Sequence, residues 1–338
     1  MSPATIQPPP TTTTTTGISS LPTHILQSHI LTQLDPRSLA SAACSSTSLS
    51  AAAHHHHLWS TLSHSTWPST ATPQITQIIS DHRSFFSHSF PLPSPDPTTT
   101  PPPQIPTSPP PSPPVTELIS AVDIHYRNKP IFTKTEVTET TTNWFRCSPF
   151  RIDMLDPKNT VATHIPHDAT CPALMEDVAL SWILIDAVNK RSVNLSSVKP
   201  VSVHRHWLSG EVQARFASVL AGESGAAVEC RVVVNCGGSE DGRMRLREVM
   251  MEMEDMDGNS LKGRGSLVIL QRVMEGKRGN GVNREEEGRR RFRRYEEMKR
   301  ERRDMKSRVE GTLDVLSLVF GLFVFVVLFS ILILKTLR

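Results

Sequence analysis

Residues 18–46 read "ISSLPTHILQSHILTQLDPRSLASAACSS", a stretch far more apolar than its surroundings. A Thr/Pro tail precedes it and a Pro-rich run follows further on. Ser20 can cap a helix whose first turn contains Pro22, a favoured early position. Leu21, Ile25, Leu26, Ile30, Leu31 and Leu34 then recur at helical spacing. Asp35-Pro36 ends that helix and starts the next, with Asp35 as cap and Pro36 at the first position. Leu39, Ala42 and Ala43 follow on one face. "STSLSAAAHHHHLW", residues 46–59, reads as a third helix carrying Leu49, Leu58 and Trp59. A three-helix unit this small buries little surface of its own. Its apolar set is also too wide for one inward stripe. Leu21, Pro22, Ile25 and Leu26 cannot all face inward together with Ile30 and Leu34. Either another part of the chain covers the surplus, or the surplus is held for a partner protein. A proline-rich spacer downstream makes the cover less expected and favours the partner.

The chain has 338 residues, which allows more than one domain. Residues 1–17, "MSPATIQPPPTTTTTTG", form a low-complexity tail expected to be disordered, with neither the basic nor the apolar region of a signal peptide. Residues 18–66 are the helical unit and 67–90 a helical extension. Residues 91–114 are a Pro-rich, semi-rigid linker. From 115 to 275 the texture changes to short alternating runs: "AVDIHY", "FRIDML", "ALSWILID", "VSVHRHWL", "VQARFASVL", "VECRVVVNC", "RLREVMMEME" and "GSLVILQRV". Turn signals bound them, among them "RNKP", "LDPKN", "CGGSEDG" and "MDGN". "LSWILIDA" also fits a short helix. The fold class expected is α+β: an N-terminal three-helix unit, a linker, and an antiparallel β-rich sandwich or barrel.

"GKRGNGVN", residues 276–283, reads as a flexible break. Residues 284–312 form a highly charged helix in which Glu286–Arg290, Glu287–Arg291 and Glu296–Arg300 stand at i,i+4. Phe292, Tyr295, Met305 and Val309 make only a thin apolar stripe, so a solvated stalk is expected. Within 313–335, "VLSLVFGLFVFVVLFSILIL" is an uninterrupted apolar run of bilayer-spanning length. Its place in the chain implies post-translational, tail-anchored insertion. The basic flank "KRERRDMKSR" then keeps everything before it in the cytosol, on the endoplasmic reticulum or another organelle surface. The five cysteines, an odd number without a CxxC pair, fit a reducing compartment.

"LPTHILQSHILTQLDPRSLASAACSSTSLSAAAHHHHLW" resembles an F-box in its Leu-Pro start, Ile-Leu pairs, "LDPRSLA", Cys-Ser step and closing Leu-Trp. "AVDIHYRNKPIFTK", "WFRCSPFRIDMLDPK" and "NLSSVKPVSVHRHWLSGEVQARFA" are similar to a family of plant F-box proteins, which extends the resemblance over about 18–275. The resemblance implies a non-catalytic substrate receptor of an SCF-type ubiquitin ligase. It would bind a Skp-family adaptor and, through it, a cullin, and hold an unknown client protein. Leu21, Pro22, Ile25, Leu26, Ile30, Leu31, Leu34, Leu39 and Trp59 match the family's adaptor-binding face. Some of them must instead form the unit's own core, and the sequence does not sort them. "HHHH", His54–His57, departs from the family pattern.

No cofactor or metal is expected. Four consecutive histidines on a helix point in all directions, and His204 with His206 are ordinary strand residues sharing a face. Aligning "MEDMDGN" as a calcium loop puts Met253 and Arg264 at ligand positions, so Asp257-Gly258 is read as a primed hairpin turn. No nucleophile, zincin or phosphate-loop motif appears. A net charge of +3 excludes a general nucleic-acid binder. Trp144, Trp182 and Trp207 are core aromatics or, less expectedly, recognition residues. A rival function is a membrane-anchored lectin-like or protein-binding module without a ligase role.

Overall fold

Alternation of apolar and polar side chains from Glu117 onward becomes two antiparallel sheets, described by a computed structural model covering residues 21–94, 115–223, 225–279 and 281–336. The expected disordered tail, the Ser20 cap and most of the Pro-rich linker lie outside the described residues. The strands are β1 (Glu117–Tyr126), β2 (Lys129–Glu139), β3 (Arg151–Asp153), β4 (Val161–Pro166), β5 (Val178–Asp186), β6 (Arg191–Asn194), β7 (Ser202–Arg205), β8 (Val212–Ala221), β9 (Ala227–Gly238) and β10 (Arg243–Glu254). The first sheet has the order β2-β1-β5-β6 and the second β3-β10-β9-β8-β7, with β4 also paired to β10. The α+β class holds.

The sheets face each other across one core. Leu118, Val122 and Ile124 of β1 and Leu180, Trp182 and Leu184 of β5 meet Phe216, Val232, Val234, Leu246 and Met251 of the second sheet. A β-bulge between Leu246 and Glu248 resets the period of β10, so that Val249, Met251 and Met253 stay inward. "LSWILID" lies in a strand, not a helix. It reads as continuously apolar because both of its faces are buried: Leu180, Trp182 and Leu184 inward, Ile183 and Ile185 outward.

"GSLVILQRV" is not a strand. It lies in a helix, Gly263–Glu275, whose Ser266, Ile269, Leu270 and Met274 are buried at helical spacing. A short apolar run without polar alternation fits either period, and packing at the edge of the core chose the helix. Nor are residues 276–279 of the expected break loose. Arg278 donates to the carbonyls of His88, Ser192, Val273, Met274 and Gly276, and Gly279 N–H donates to Leu92 O at 3.0 Å. Burial lowers the Arg278 guanidinium to about 10. The turn at Asp257-Gly258 has only Gly258 at positive φ (86°), so it is not the primed two-residue turn expected.

The helices before the first strand are α1 (residues 23–33), α2 (Pro36–Ser45), α3 (Thr47–Ala53), α4 (His56–Thr66), α5 (Pro73–Thr76) and α6 (His82–Ser89). They are not held away by the spacer. Leu31, Leu39, Trp59, Trp67, Phe85 and Phe86 share one cluster with Ile119, Ala121, Ile183 and Ile185, on the outer face of the first sheet. Three more helices follow in chain order: α7 (Asn143–Cys147), α8 (Cys171–Asp177) and α9, the Gly263–Glu275 helix. The last, α10 (Arg284–Thr336), has 53 residues and crosses the outer face of the second sheet before leaving it.

Candidate functional site

The wide apolar set of the opening stretch divides into an inside and a rim. Leu26, Leu31 and Leu39 are each 2% exposed and Trp59 is 5% exposed, so these four are core. Leu21 (39%) and Ile30 (37%) are exposed, as is Pro22, with Ile25 and Leu34 half-buried beside them. The backbone explains the split. α1 begins as an α-turn at Thr23–Ile25, widens to a π-turn over Leu26–Ile30 and tightens to 3-10 over Leu31–Gln33. The extra residue of the π-turn sends Leu31, not Ile30, into the core after Leu26. α2 starts where the sequence placed it. The Asp35 carboxylate accepts from Arg37 N at 2.9 Å and Ser38 N at 3.1 Å, and these bonds with Ser38 Oγ lower its pKa. The third expected helix is two, broken at His54–His55, with Trp59 Nε1 donating across the break to Ala53 O at 2.8 Å.

Sequence reasoning missed what this layer rests on. Trp67, 1% exposed, packs against Phe85 and Phe86 and donates from Nε1 to Ser181 Oγ of β5 at 3.1 Å. Asp123, fully buried on β1, accepts from Ser69 N at 2.9 Å and from Ser69 Oγ. Burial raises the Asp123 carboxyl to about 6 against the pull of those bonds. The available signal was the alternation of β1, which puts Asp123 on the face of Ile119 and Ala121. Between α4 and α6, His82 meets His56 and His64 edge-on at 4.9 and 5.3 Å. Burial, then the two neighbouring imidazoles, lower the pKa of His82.

The other singled-out residues scatter. Trp182 is core, whereas Trp144 on α7 and Trp207 on the β7–β8 turn are 83% and 88% exposed. His204 stays on β7, but His206 lies in the turn beyond it and its Nδ1 accepts from Ser209 N at 3.1 Å. No cluster suited to a metal ion occurs among the described residues.

The charged helix is not a free stalk over its first half. Phe292 and Tyr295 are buried against Val201, Ala217, Val219, Ala227 and Met256. Tyr295 Oη donates to Asp255 O at 3.3 Å, Lys299 pairs with Glu254, and Arg302 with Asp257 at 2.8 Å. Of the expected i,i+4 pairs, Glu287–Arg291 closes at 2.7 Å, while Glu296 turns to Arg215 at 3.8 Å. Beyond Arg302 the helix is exposed. It is the one helix among the described residues long and apolar enough to cross a membrane, with mean hydropathy 3.0 over the apolar window and none of that window buried.

Residues 18–65 match the F-box-like family. The chain is 45% identical over 316 residues to the "Probable F-box protein At2g36090" of Arabidopsis thaliana, covering 92% of each. It is 39% identical over 339 residues to "F-box protein At2g27310" of the same plant, covering 94% of this chain and 97% of that one. It is 39% identical over 310 residues to "F-box protein At3g44326", also from Arabidopsis thaliana, covering 86% and 83%. No solved structure matches.

Proposed function

Because the chain belongs to the F-box protein family of plants, whose members generally act as substrate receptors of SCF-type ubiquitin ligases, we propose a specific division of labour within it. The exposed rim of Leu21, Pro22 and Ile30, flanked by Ile25 and Leu34, docks a Skp-family adaptor and through it a cullin. The β-rich body presents an unknown client protein. Residues 313–335 fix the assembly to a membrane, with the rest of the chain in the cytosol. The receptor makes no bond itself; it raises the effective concentration of the client's lysines near a ubiquitin-charged enzyme.

One observation carries the reading. Leu21 and Ile30 are large apolar side chains that stay exposed although Leu26 and Leu31 of the same segment are buried. Two exposed apolar side chains at the two ends of one short segment, with Pro22 and the half-buried Ile25 and Leu34 between and beside them, fit a partner's apolar face. The membrane assignment rests on the apolar window of α10.

The test is capture of the purified adaptor by the full chain in nanodiscs. Leu21→Asp with Ile30→Asp should weaken capture about a hundredfold, two anchor residues each contributing more than 1 kcal/mol, with no change in melting temperature. Leu26→Asp is a different experiment, since it places a charge in the core and unfolds the layer. No capture by the parent chain overturns the ligase reading, and capture untouched by the double variant overturns the assignment of this rim as the docking face.

A further inference from the structure

The path of α10 defines which corner of the body leads toward the proposed membrane. Arg289 Nη2 donates to Met175 O at 2.7 Å, beside the start of β7. Further along, Tyr295 reaches Asp255 and Arg302 reaches Asp257, at the far end of β10. The helix therefore crosses the second sheet diagonally, from the β7 edge toward the corner where β10, β3 and the Asp255–Ser260 turn meet. α7 stands at that corner. Phe150 N donates to Leu261 O at 2.7 Å, Gly263 N to Ser148 O at 3.0 Å, and Pro149 bridges Lys262. A side chain at Gly263 would collide with Phe145 O, so α7 is held hard against the first turn of α9.

This corner displays Trp144, 83% exposed, together with Arg146, Lys262 and Arg264, all three exposed and without an ion-pair partner among the described residues. The carboxylates around it are engaged elsewhere: Glu139 accepts from Thr141 Oγ1 at 2.7 Å, Asp257 pairs with Arg302 at 2.8 Å, and Asp255 accepts from Asp257 N and Asn259 N within its own turn. From Arg302 to Leu313 the helix advances about 16 Å, of which the lipid headgroup layer takes about 6 Å, so the end of the body that pairs with Arg302 stands close to that layer.

We propose that this corner is a second, peripheral membrane contact: Trp144 enters the headgroup layer while Arg146, Lys262 and Arg264 engage anionic lipid phosphates. Its occupant is the cytosolic face of the same membrane that α10 spans, so the inference rests on the anchoring reading. Tryptophan suits that layer because its ring is apolar and its N–H finds a partner there. Basic side chains near an anionic leaflet are attracted to it. With α10 as the first contact and this corner as the second, the body is held at one attitude to the membrane rather than swivelling on a single helix.

The test uses the full chain with its adaptor, in nanodiscs of phosphatidylcholine with or without phosphatidylserine, doped with a headgroup-nitroxide lipid. Trp207→Phe silences the other exposed tryptophan, and flotation with the lipid is scored separately. Expected are flotation, nitroxide quenching that disappears on Trp144→Phe, and a severalfold drop in that quenching with Arg146→Glu/Lys262→Glu/Arg264→Glu or without phosphatidylserine. Failure to float overturns the anchoring reading and this contact with it. Flotation with quenching indifferent to Trp144 or to phosphatidylserine overturns the contact alone. Shielding of Trp144 by added adaptor, without lipid quenching, overturns it in favour of a protein partner.

Discussion

Asp123 shows how one residue couples the helical layer to the β-sheet. Its carboxyl receives two bonds from Ser69 yet titrates near 6, because burial disfavours the charge more than the bonds restore it. A carboxyl raised in the fold stabilises fully below its unfolded pKa and loses that contribution as pH rises through the folded value. The window runs from about pH 4 to about pH 6, and the whole effect is at most about 3 kcal/mol. Asp123→Asn keeps an acceptor for Ser69 N and removes the titration. The stability of the native chain relative to Asp123→Asn should therefore fall between pH 4 and pH 7, as denaturant unfolding at each pH would show. A flat difference would mean that Asp123 is hydrated in the folded state. The rim residues belong to the same scale. Periodicity marked Leu21, Ile25, Leu26, Ile30 and Leu31 as one apolar family, and a single π-turn divides them into surface and core.

At the scale of elements, α10 departs most from its sequence. Its charge pattern reads as a solvated rod, since Phe292 and Tyr295 are few among arginines and glutamates. The second sheet supplies what the helix lacks: an apolar strip of Ala217, Val219 and Ala227, the Glu254 carboxylate that meets Lys299, and Arg215, which pairs with Glu229 within the sheet and faces Glu296 of the helix. Arg215 also lies over the Phe292 ring at 5.0 Å. Tyr295→Ala removes a fully buried ring and should cost about 3–5 kcal/mol of docking. Hydrogen exchange of residues 284–302 would rise severalfold in the variant while that of β1 and β5 stays unchanged. Equal protection in both chains would mean that the ion pairs alone hold the helix. The Gly263–Glu275 helix and the break at His54–His55 teach a related lesson. A run such as "SLVILQ" satisfies two periods equally, and only its packing partners choose between them.

Over the whole molecule the order of layers is helices, first sheet, second sheet, α10. The proposed adaptor face and the docked half of α10 thus lie on opposite faces of one β-sandwich. Asp123, Trp67 and the Arg278 carbonyl clamp tie the helical side to it. Deleting Val315–Arg338 should abolish flotation with liposomes while leaving adaptor capture and the melting transition intact, because none of the apolar window of α10 is buried. Loss of adaptor capture on deletion would show that the two ends are energetically coupled.

The sequence by itself determined what rests on local pattern. The F-box signature, the Asp35-Pro36 helix start, the alternation of most strands, the antiparallel α+β class and the length of the apolar run are all written within a few residues of one another. Only the tertiary structure decided what each apolar face is buried against. It seated the helices on Ile119, Ala121, Ile183 and Ile185 despite the proline-rich spacer, laid α10 on the second sheet, and left Trp144 and Trp207 outside while taking Trp182 inside. Periodicity states that a face is apolar; the partner that covers it comes from residues far along the chain, and their meeting is set by packing that no local pattern encodes.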